Sequence, residues 1–413
     1  MSGDDATHFH ARFCYAGAFA FLFLYTMPSL FSMTSEERKE ARYQRRKALR
    51  EAKRRAAIQM YDSYERVISA NSLIHAERQS RKSVRFKASV QRYDMNLLRQ
   101  TFDTRRKLKA GKNVTMGFIC FSLCERGKTR NIRSVHFKER VVQRSLCDNA
   151  LVPVLSRSLD YDNGASQKGK GIHFAINRCK AHLQQYYREN GFSNQGWVLQ
   201  VDYSGYFDHI QHPPIYAMLD RAFTNKRIVA LTKTFVSCFG EESLGLGSQV
   251  SQILAVAYPT PIDRCARQEL HLHHSMRYMD DSQYFHPSKA YLEICLARLK
   301  EQAAKLGIRL NEKKTKIIPI EHFTYLKVRF TLTKTGRVIM KPCRESIKRM
   351  RRKIKAFSGK IEAGEMTFTQ ANQSHQSCRG YIRHLNSHRS IKTLDAHFKR
   401  EITEGVMKRV HAA

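Results

Sequence analysis

The chain has 413 residues, 42% of them hydrophobic, which excludes a disordered protein and leaves room for two or three packed subdomains. Lys and Arg total 73 against 36 acidic residues, a formal net charge of +37 that is far beyond what solubility requires. A compact monomer so charged repels itself until a polyanion neutralises it, so a nucleic-acid partner is preferred over an ordinary soluble protein with a basic surface. The ten cysteines are scattered; Cys120 and Cys124 form a CxxxC pair with no second Cys/His pair at zinc-finger spacing. Reduced, buried thiols of a cytoplasmic protein are expected.

Residues 1–33 differ from the rest. Tyr15 to Met33 is largely apolar and interrupted by Pro28. Three readings stand: translation starts at Met33, the segment is a membrane-associated leader, or it is an ordinary buried helix. Thr34-Ser35-Glu36-Glu37 has the pattern of a capping box. Glu36 to Ile58 lacks Gly and Pro and is rich in Lys and Arg, which predicts a basic helix that lies on RNA, folds back on the protein or stays solvated. Gly117 to Leu123 and Arg130 to Phe137 read as paired strands around a turn at Glu125-Arg126-Gly127-Lys128. Glu139 to Leu151 reads as a helix closed off by Pro153. A Gly/Lys-rich loop follows from Asp160 to Gly171, then a helix from Ile172 to Glu189, then a buried strand from Trp197 to Val201. Helices alternate with short strands to about Phe330. From Arg344 the chain is helical and basic, and Gly380 to His388 is expected to begin a further helix. His271, His273 and His274 lack ligand-spaced partners and read as surface residues.

Three acidic positions carry the candidate chemistry. In Val198-Leu-Gln-Val-Asp202-Tyr-Ser-Gly-Tyr-Phe207-Asp208 a hydrophobic strand ends in an aspartate. In Met276-Arg-Tyr-Met-Asp280-Asp281-Ser-Gln-Tyr-Phe285 two adjacent carboxylates sit between apolar flanks, which suits a tight hairpin. Carboxylates so close are costly unless a cation neutralises them. Mg²⁺ favours carboxylate plus phosphate oxygens, and two such ions can clamp an attacking hydroxyl and a leaving pyrophosphate.

Tyr278-Met-Asp-Asp281 resembles the YxDD box of reverse transcriptases, and Asp202 to Asp208 resembles their first palm motif. Ser243-Leu-Gly-Leu246-Gly247-Ser-Gln-Val-Ser251-Gln252 falls between them, where that family has a loop lining the nucleotide site. Leu306-Gly-Ile-Arg-Leu-Asn311-Glu-Lys-Lys314-Thr315 is similar to LNxxKT, and Arg130-Asn-Ile132 with Glu139-Arg140-Val-Val-Gln143 to the fingers motif RxI…(D/E)RVVQ. The resemblance runs colinearly over roughly residues 65–400. It implies an α+β right-hand polymerase with fingers and the first palm elements (60–195), a palm of small antiparallel sheet plus helices with the YMDD centre (196–335) and a basic helical thumb (336–413), after the leader (1–33) and basic helix (34–59).

The implied activity is RNA-directed DNA synthesis with two Mg²⁺ ions, or Mn²⁺ in their place, held by Asp202, Asp280 and Asp281. Lys314 is the implied proton donor to pyrophosphate. Arg130, Arg140 and Lys168 or Lys170 are candidates to hold the triphosphate, and Phe207 is the implied steric gate against a ribose 2′ hydroxyl. Leu246, Gly247 and Gln252 are the implied nucleotide-site residues of the middle loop. There Leu246 stands where Gln is usual, and Ser251-Gln252 replaces Ser-Pro. The form (I/V/L)GxxxSQ is similar to reverse transcriptases of diversity-generating retroelements, which copy a template RNA with frequent errors opposite adenine. Ser243 and Gly245 depart from that subfamily's GxP, and Tyr325-Leu326-Lys327 stands where Phe-Leu-Gly is common.

In the tail, Ile347, Met350, Ile354 and Phe357 form one helix face, with Lys348, Arg351, Arg352 and Lys355 on the others. This predicts a helix docked on the palm with its charges toward phosphate. Too few residues follow for an RNase H domain, and no Cys/His pattern suggests an HNH endonuclease. Expected partners are template RNA, cDNA primer or product and dNTPs, with a basic or RNA-binding accessory protein as a candidate. A membrane partner is expected only if the leader is real. Rival readings are a phage-defence or retron-like reverse transcriptase and a non-catalytic RNA-binding, splicing-assisting protein.

Overall fold

The computed structural model describes residues 34–404 except Arg126; the apolar leader, with its three readings, lies outside the described residues. The chain divides into two compact units, Met1–Met60 and Tyr61–Ala413. No helix among the described residues is long and apolar enough to cross a membrane.

In the first unit, α1 spans Ser35–Gln59 and opens with the expected capping box. Thr34 Oγ1 accepts the Glu37 N–H at 3.3 Å, while the Glu37 carboxylate accepts the Thr34 N–H at 2.7 Å. Hydrogen bonding of the carboxylate to the Thr34 backbone N–H, and next to the Thr34 side chain, favours the ionised acid and lowers the Glu37 pKa. Tyr43 and Leu49 are half-exposed, so α1 is polar all round and held by propensity and capping rather than by an apolar stripe.

After a single helical turn at Tyr64–Val67, the second unit continues with α2 (Ala70–Ser80), α3 (Ala88–Met95) and α4 (Leu97–Lys109). A hairpin follows, β1 (Phe118–Glu125) with β2 (Lys128–Val135), and then α5 (Phe137–Leu146). Leu73, Ala76, Val90, Tyr93, Phe137 and Val141 make a small core among these helices. Pro153 does not close the helix as expected. A wide π-turn at Cys147–Leu151 takes up the register, the Val152 N–H reaches the Cys147 carbonyl, and Val152–Leu155 begins a new turn with Pro153 in its first positions. A proline is tolerated there because its missing N–H is not needed.

Helix α6 (Ile172–Glu189) buries Ala175, Ile176, Cys179, His182, Leu183 and Tyr186, a stripe of helical period. It covers a four-stranded antiparallel sheet of β3 (Trp197–Asp202), β4 (Ser275–Tyr278), β5 (Asp281–His286) and β6 (Lys316–Pro319), in the order β4-β5-β3-β6. Between β3 and β4 lie α7 (His212–Ala222), α8 (Lys226–Ser237) and α9 (Gln249–Ala257), and α10 (Lys289–Lys305) joins β5 to the segment before β6. A second sheet, β7 (His322–Tyr325), β8 (Val328–Leu332) and β9 (Val338–Pro342), shares one core with the first, in which Phe323 stacks on Phe330 with ring centres 5.3 Å apart.

The chain ends in α11 (Arg344–Glu362), α12 (Phe368–Arg383) and α13 (His388–Phe398). Two expectations are corrected here. The apolar face of α11 does not dock on the palm: Met350, Ile354 and Phe357 pack against Ala371, Ile382, Leu394 and Phe398 of α12 and α13. A charged helix buries its stripe most fully against neighbours that are themselves amphipathic. Gly380 to His388 does not begin a helix either. Gly380 lies inside the last turn of α12, and the chain breaks at His384–Ser387 before α13.

Candidate active site

Strand β3, an interior strand of the first sheet, ends in Asp202, which pairs in register with Asp281, the first residue of β5. Asp280 precedes Asp281 in the two-residue turn that joins Tyr278 to Asp281. Met279 takes φ 56° in that turn, and a left-handed residue gives a β-hairpin its tight reversal. The LNEKKT segment runs alongside. The Asn311 N–H donates to the Asp202 carbonyl at 2.7 Å, and a turn closed by Asn311 and Lys314 brings the Lys314 ammonium to 2.7 and 2.9 Å from the two Asp202 oxygens.

These groups share one cleft of about 660 Å³. Its lining includes Asp202, Asp280 and Asp281, together with Arg130, Lys313, Lys314, Lys316 and Lys327. Burial pushes the Asp281 carboxyl up to about 7 against the hydrogen bond from Gln283, and the neighbouring Asp280 and Asp202 charges push the same way. Such a carboxylate is stabilised by any cation that approaches it. Among the described residues, no three His, Cys, Asp or Glu side chains are grouped so that they could by themselves hold a metal ion. The oxygen-only donor set nevertheless fits Mg²⁺, which is commonly held by one or two carboxylates with substrate phosphates completing its shell.

The turn that carries Asp280 is fixed by residues that sequence reasoning missed. Arg277 is 2% exposed and pairs with Asp263 through Nε and Nη2, at distances down to 2.7 Å. Its Nη1 donates to the Met279 carbonyl at 3.1 Å and its Nη2 to the Val256 carbonyl at 2.9 Å, so a buried guanidinium ties the turn to α9. Burial disfavours its charge, but Asp263 more than compensates and raises its pKa. Gln283 donates to Asp281 Oδ1 at 2.7 Å; Gln200 donates to Gln283 Oε1 at 2.8 Å and to the Thr324 carbonyl at 2.9 Å. A buried amide chain thus runs from Asp281 to the second sheet. The available signal was a polar residue inside each apolar strand: Gln200 in VLQVD, Arg277 in SMRY and Gln283 in DSQYF.

The Asp160–Gly171 loop serves the same strand. The Gly164 N–H donates to the Arg277 carbonyl at 3.0 Å, and a Cβ at Gly164 would lie 2.9 Å from the Ala175 Cβ. Asp162 is buried beside Arg178, His182 and Arg267. Burial opposes its charge, but His182 and Arg178 hold its pKa well below the ordinary carboxylate value. Lys170 donates to the Tyr161 and Asn163 carbonyls of its own loop, while Lys168 is exposed. His274 is not the surface residue expected. It is 7% exposed, with Nε2 2.8 Å from Glu189 and Nδ1 3.4 Å from His182 Nδ1; His271 and His273 are exposed.

The remaining candidates lie apart from the residues lining the cleft. Arg140 donates to Ser134 Oγ at 3.0 Å. Phe207 is half-buried in a short turn, and its carbonyl accepts the Leu244 N–H at 2.9 Å, which ties the first palm motif to the middle loop. Leu246 is half-buried and its carbonyl accepts the Arg133 N–H from β2. A Cβ on Gly247 would come within 2.6 Å of the Arg133 carbonyl oxygen, so glycine here lets the β1–β2 hairpin approach the loop. Gln252 is exposed on α9. Ser248 caps α9 and donates to Gln143, which in turn donates to Glu139, so the ERVVQ motif holds the loop. Lys348, Arg351, Arg352 and Lys355 are all exposed on α11. Of the described cysteines, Cys147, Cys179, Cys265, Cys295 and Cys343 are buried as expected, whereas Cys120, Cys124 and Cys238 are exposed; all are free.

A family model described as reverse transcriptase (RNA-dependent DNA polymerase) matches residues 122–330. No curated protein sequence matches the chain. Among solved structures, it is similar to apo telomerase from Candida tropicalis truncated from the C-terminal domain, at 10% identity and TM-score 0.43, over 54% of this chain and 55% of that one. Telomerase from Candida albicans in complex with a TWJ fragment of telomeric RNA matches at 10% identity and TM-score 0.44, over 59% and 49%. The Candida tropicalis telomerase complex with the same kind of fragment matches at 13% and 0.41, over 58% and 48%. The chain thus spans about half the length of these telomerase chains. With just over half of its residues covered by the family model, and with its paired aspartates in antiparallel strands beneath a helical layer, the chain belongs to the reverse transcriptase (RNA-dependent DNA polymerase) family and has its fold.

Proposed function

We infer that the chain extends a DNA primer along an RNA template by nucleotidyl transfer from dNTPs. One observation carries this reading: Asp202 and Asp281 are register partners on adjacent strands, with Asp280 next to Asp281 on the β4–β5 turn, in a cleft otherwise rich in lysine. When bound there, two Mg²⁺ ions, or Mn²⁺, would activate the 3′ hydroxyl and neutralise the leaving pyrophosphate. The chain's own residues then have definable tasks. Arg277 fixes the turn through the Met279 carbonyl, and Gln283 orients Asp281. Lys314 balances Asp202 and is the donor of a proton to pyrophosphate as the P–O bond to the leaving group breaks. Arg130, in the same cleft, binds the triphosphate, with Arg140 beside it in the motif. Phe207 is the gate against a 2′ hydroxyl, and Lys348, Arg351, Arg352 and Lys355 grip the duplex backbone. In this assignment 60–195 form the fingers, 196–335 the palm and 336–413 the thumb, and the partners are template RNA and cDNA.

The finer reading is a mutagenic polymerase of a diversity-generating retroelement. Leu246 supports it, because an apolar side chain cannot make the base-proximal hydrogen bond of the usual Gln, and a pocket without that bond discriminates less. The test is primer extension on an RNA template with dNTPs and Mg²⁺, beside Asp280→Ala, with the product sequenced. cDNA from wild type alone, with errors concentrated opposite template adenines, is the expected result. Accurate cDNA would move the chain to a phage-defence or retron-like class. Extension by Asp280→Ala at the wild-type rate would sink the catalytic assignment and favour an RNA-binding role.

A further inference from the structure

Two buried histidines meet beside the Asp160–Gly171 loop. His182 lies on α6 and His274 immediately before β4. Their rings stand nearly at right angles, with the two Nδ1 atoms 3.4 Å apart. Each ring turns its other nitrogen to a carboxylate. His182 Nε2 is 3.0 Å from Asp162 Oδ2, in a contact that is off-line as a hydrogen bond and works through charge. His274 Nε2 is 2.8 Å from the half-exposed Glu189 carboxylate.

These contacts fix a count of protons. Asp162 is held ionised against burial by His182 and Arg178, and Glu189 by the hydrogen bond from Gln185 and then by His274. A nitrogen lone pair aimed at a carboxylate is repelled, so each Nε2 carries its hydrogen. A neutral imidazole has only one N–H. Two neutral rings so placed would therefore set two bare Nδ1 lone pairs against each other in the interior, where an unmet polar group is costly. One further proton removes the conflict: one Nδ1–H donates to the other Nδ1, and the pair becomes a single imidazolium between two carboxylates. A second proton would set two cations side by side. Burial, and next the charge of His182, accordingly hold the His274 pKa below its ordinary value of 6.5.

We propose that His182 and His274 form a binding site for one shared proton, and that this proton ties the Asp160–Gly171 loop to the strand that leads to Asp280. The tie is continuous. The Asp162 carbonyl accepts the Arg277 N–H of β4 at 3.3 Å, and the Gly164 N–H donates to the Arg277 carbonyl at 3.0 Å. The His274 carbonyl accepts the Phe285 N–H of β5 at 3.0 Å. The neighbouring charges do not stand in for the proton: Arg178 is engaged on Asp162, Arg267 on Asp160 and Asp162, and His273 is exposed. None of this rests on the polymerase reading.

The site gives stability a two-sided pH dependence. Unfolded histidines titrate near their ordinary 6.5. Above that value the folded pair keeps a proton that the unfolded chain has released, so stability falls as pH rises, by up to about tenfold in the folding equilibrium per pH unit. Below it the unfolded chain binds two protons and the folded pair keeps one, so stability falls as pH drops.

The test compares wild type with His274→Asn, whose amide N–H can donate to His182 Nδ1 without any extra proton. Both chains are labelled with ¹⁵N-histidine, and melting temperature and amide exchange of Gly164, corrected for its intrinsic rate, are followed across neutral pH. Wild type at neutral pH should show one proton shared between the two Nδ1 atoms. Its melting temperature and Gly164 protection should fall as pH rises above neutral, and this basic limb should be absent from His274→Asn while the acid limb remains. Two unprotonated Nδ1 atoms in wild type would overturn the proposal, as would the same basic limb in His274→Asn. The nitrogen spectrum of wild type decides the matter even if the substituted chain does not fold.

Discussion

The β4–β5 hairpin and the α11 helix both concentrate charge, and they do so in opposite ways. Around the hairpin, charged and polar groups are matched individually: Arg277 to Asp263 and Gln283 to Asp281 in the interior, and the half-exposed Lys314 to Asp202 at the cleft. On α11 the basic side chains project outward, while Met350, Ile354 and Phe357 hold the helix to its bundle. Buried charge must be paired individually, because an unpaired ion in a low-dielectric interior is expensive. Exposed charge acts collectively and is screened by salt. Single substitutions should therefore be severe in the hairpin and mild on the helix.

The largest expected effect is on chemistry. Asp280→Ala should reduce primer extension by at least about 10²-fold, the loss typical of removing one group that stabilises transition-state charge. Its circular dichroism spectrum should stay native, since removing a carboxylate beside Asp281 relieves repulsion.

Next comes stability. Arg277→Ala strands the Asp263 carboxylate and frees the β4–β5 turn, and should cost about 3–5 kcal/mol in urea denaturation. A loss under about 1 kcal/mol would contradict the matched-pair description of the hairpin.

The pH dependence sharpens the same contrast. The folded pKa of Asp162 lies below its ordinary value of 3.8, so the unfolded chain binds more protons in the window beneath that value. Its contribution is fully present above that window and is lost as pH falls through it. Asp162→Asn should therefore flatten the acid limb of a melting-temperature profile relative to wild type.

The smallest effects belong to α11. Lys348→Ala and Arg352→Ala should each leave melting unchanged and weaken hybrid binding only a few-fold at moderate salt, with the salt slope reduced by about one per charge removed. An effect of the size expected in the hairpin would mean that these side chains are ordered individually after all.

The separation of partners along the chain explains what could be read in advance. The Asp280-Asp281 pair and the apolar runs around it are local, and so is the capping box of α1. The expected strands, the hairpin at 118–135 and helix α6 all follow from neighbours within a few residues. Arg277 and Asp263 are 14 residues apart, Gln200 and Gln283 are 83 apart, and Gln143 and Ser248 are 105 apart. No local pattern reports such pairs. Pro153 misled for a related reason, since its effect depends on whether the preceding turn is α or π.

The sequence by itself determined the class of chemistry: paired carboxylates at strand ends, a strongly basic chain to meet a polyanion, and apolar periodicities that place strands and helices. These depend on residue identity and on backbone period, which travel with the chain. The tertiary structure alone decided which surfaces and side chains meet. It turned the apolar face of α11 toward α12 and α13, buried His274 beside His182, and bonded the Arg277 guanidinium to the β4–β5 turn. It also placed Lys327, in a strained backbone conformation, among the residues of the cleft. Long-range packing decides such pairings because the cost of burying a polar group depends on partners that only the folded chain brings within reach.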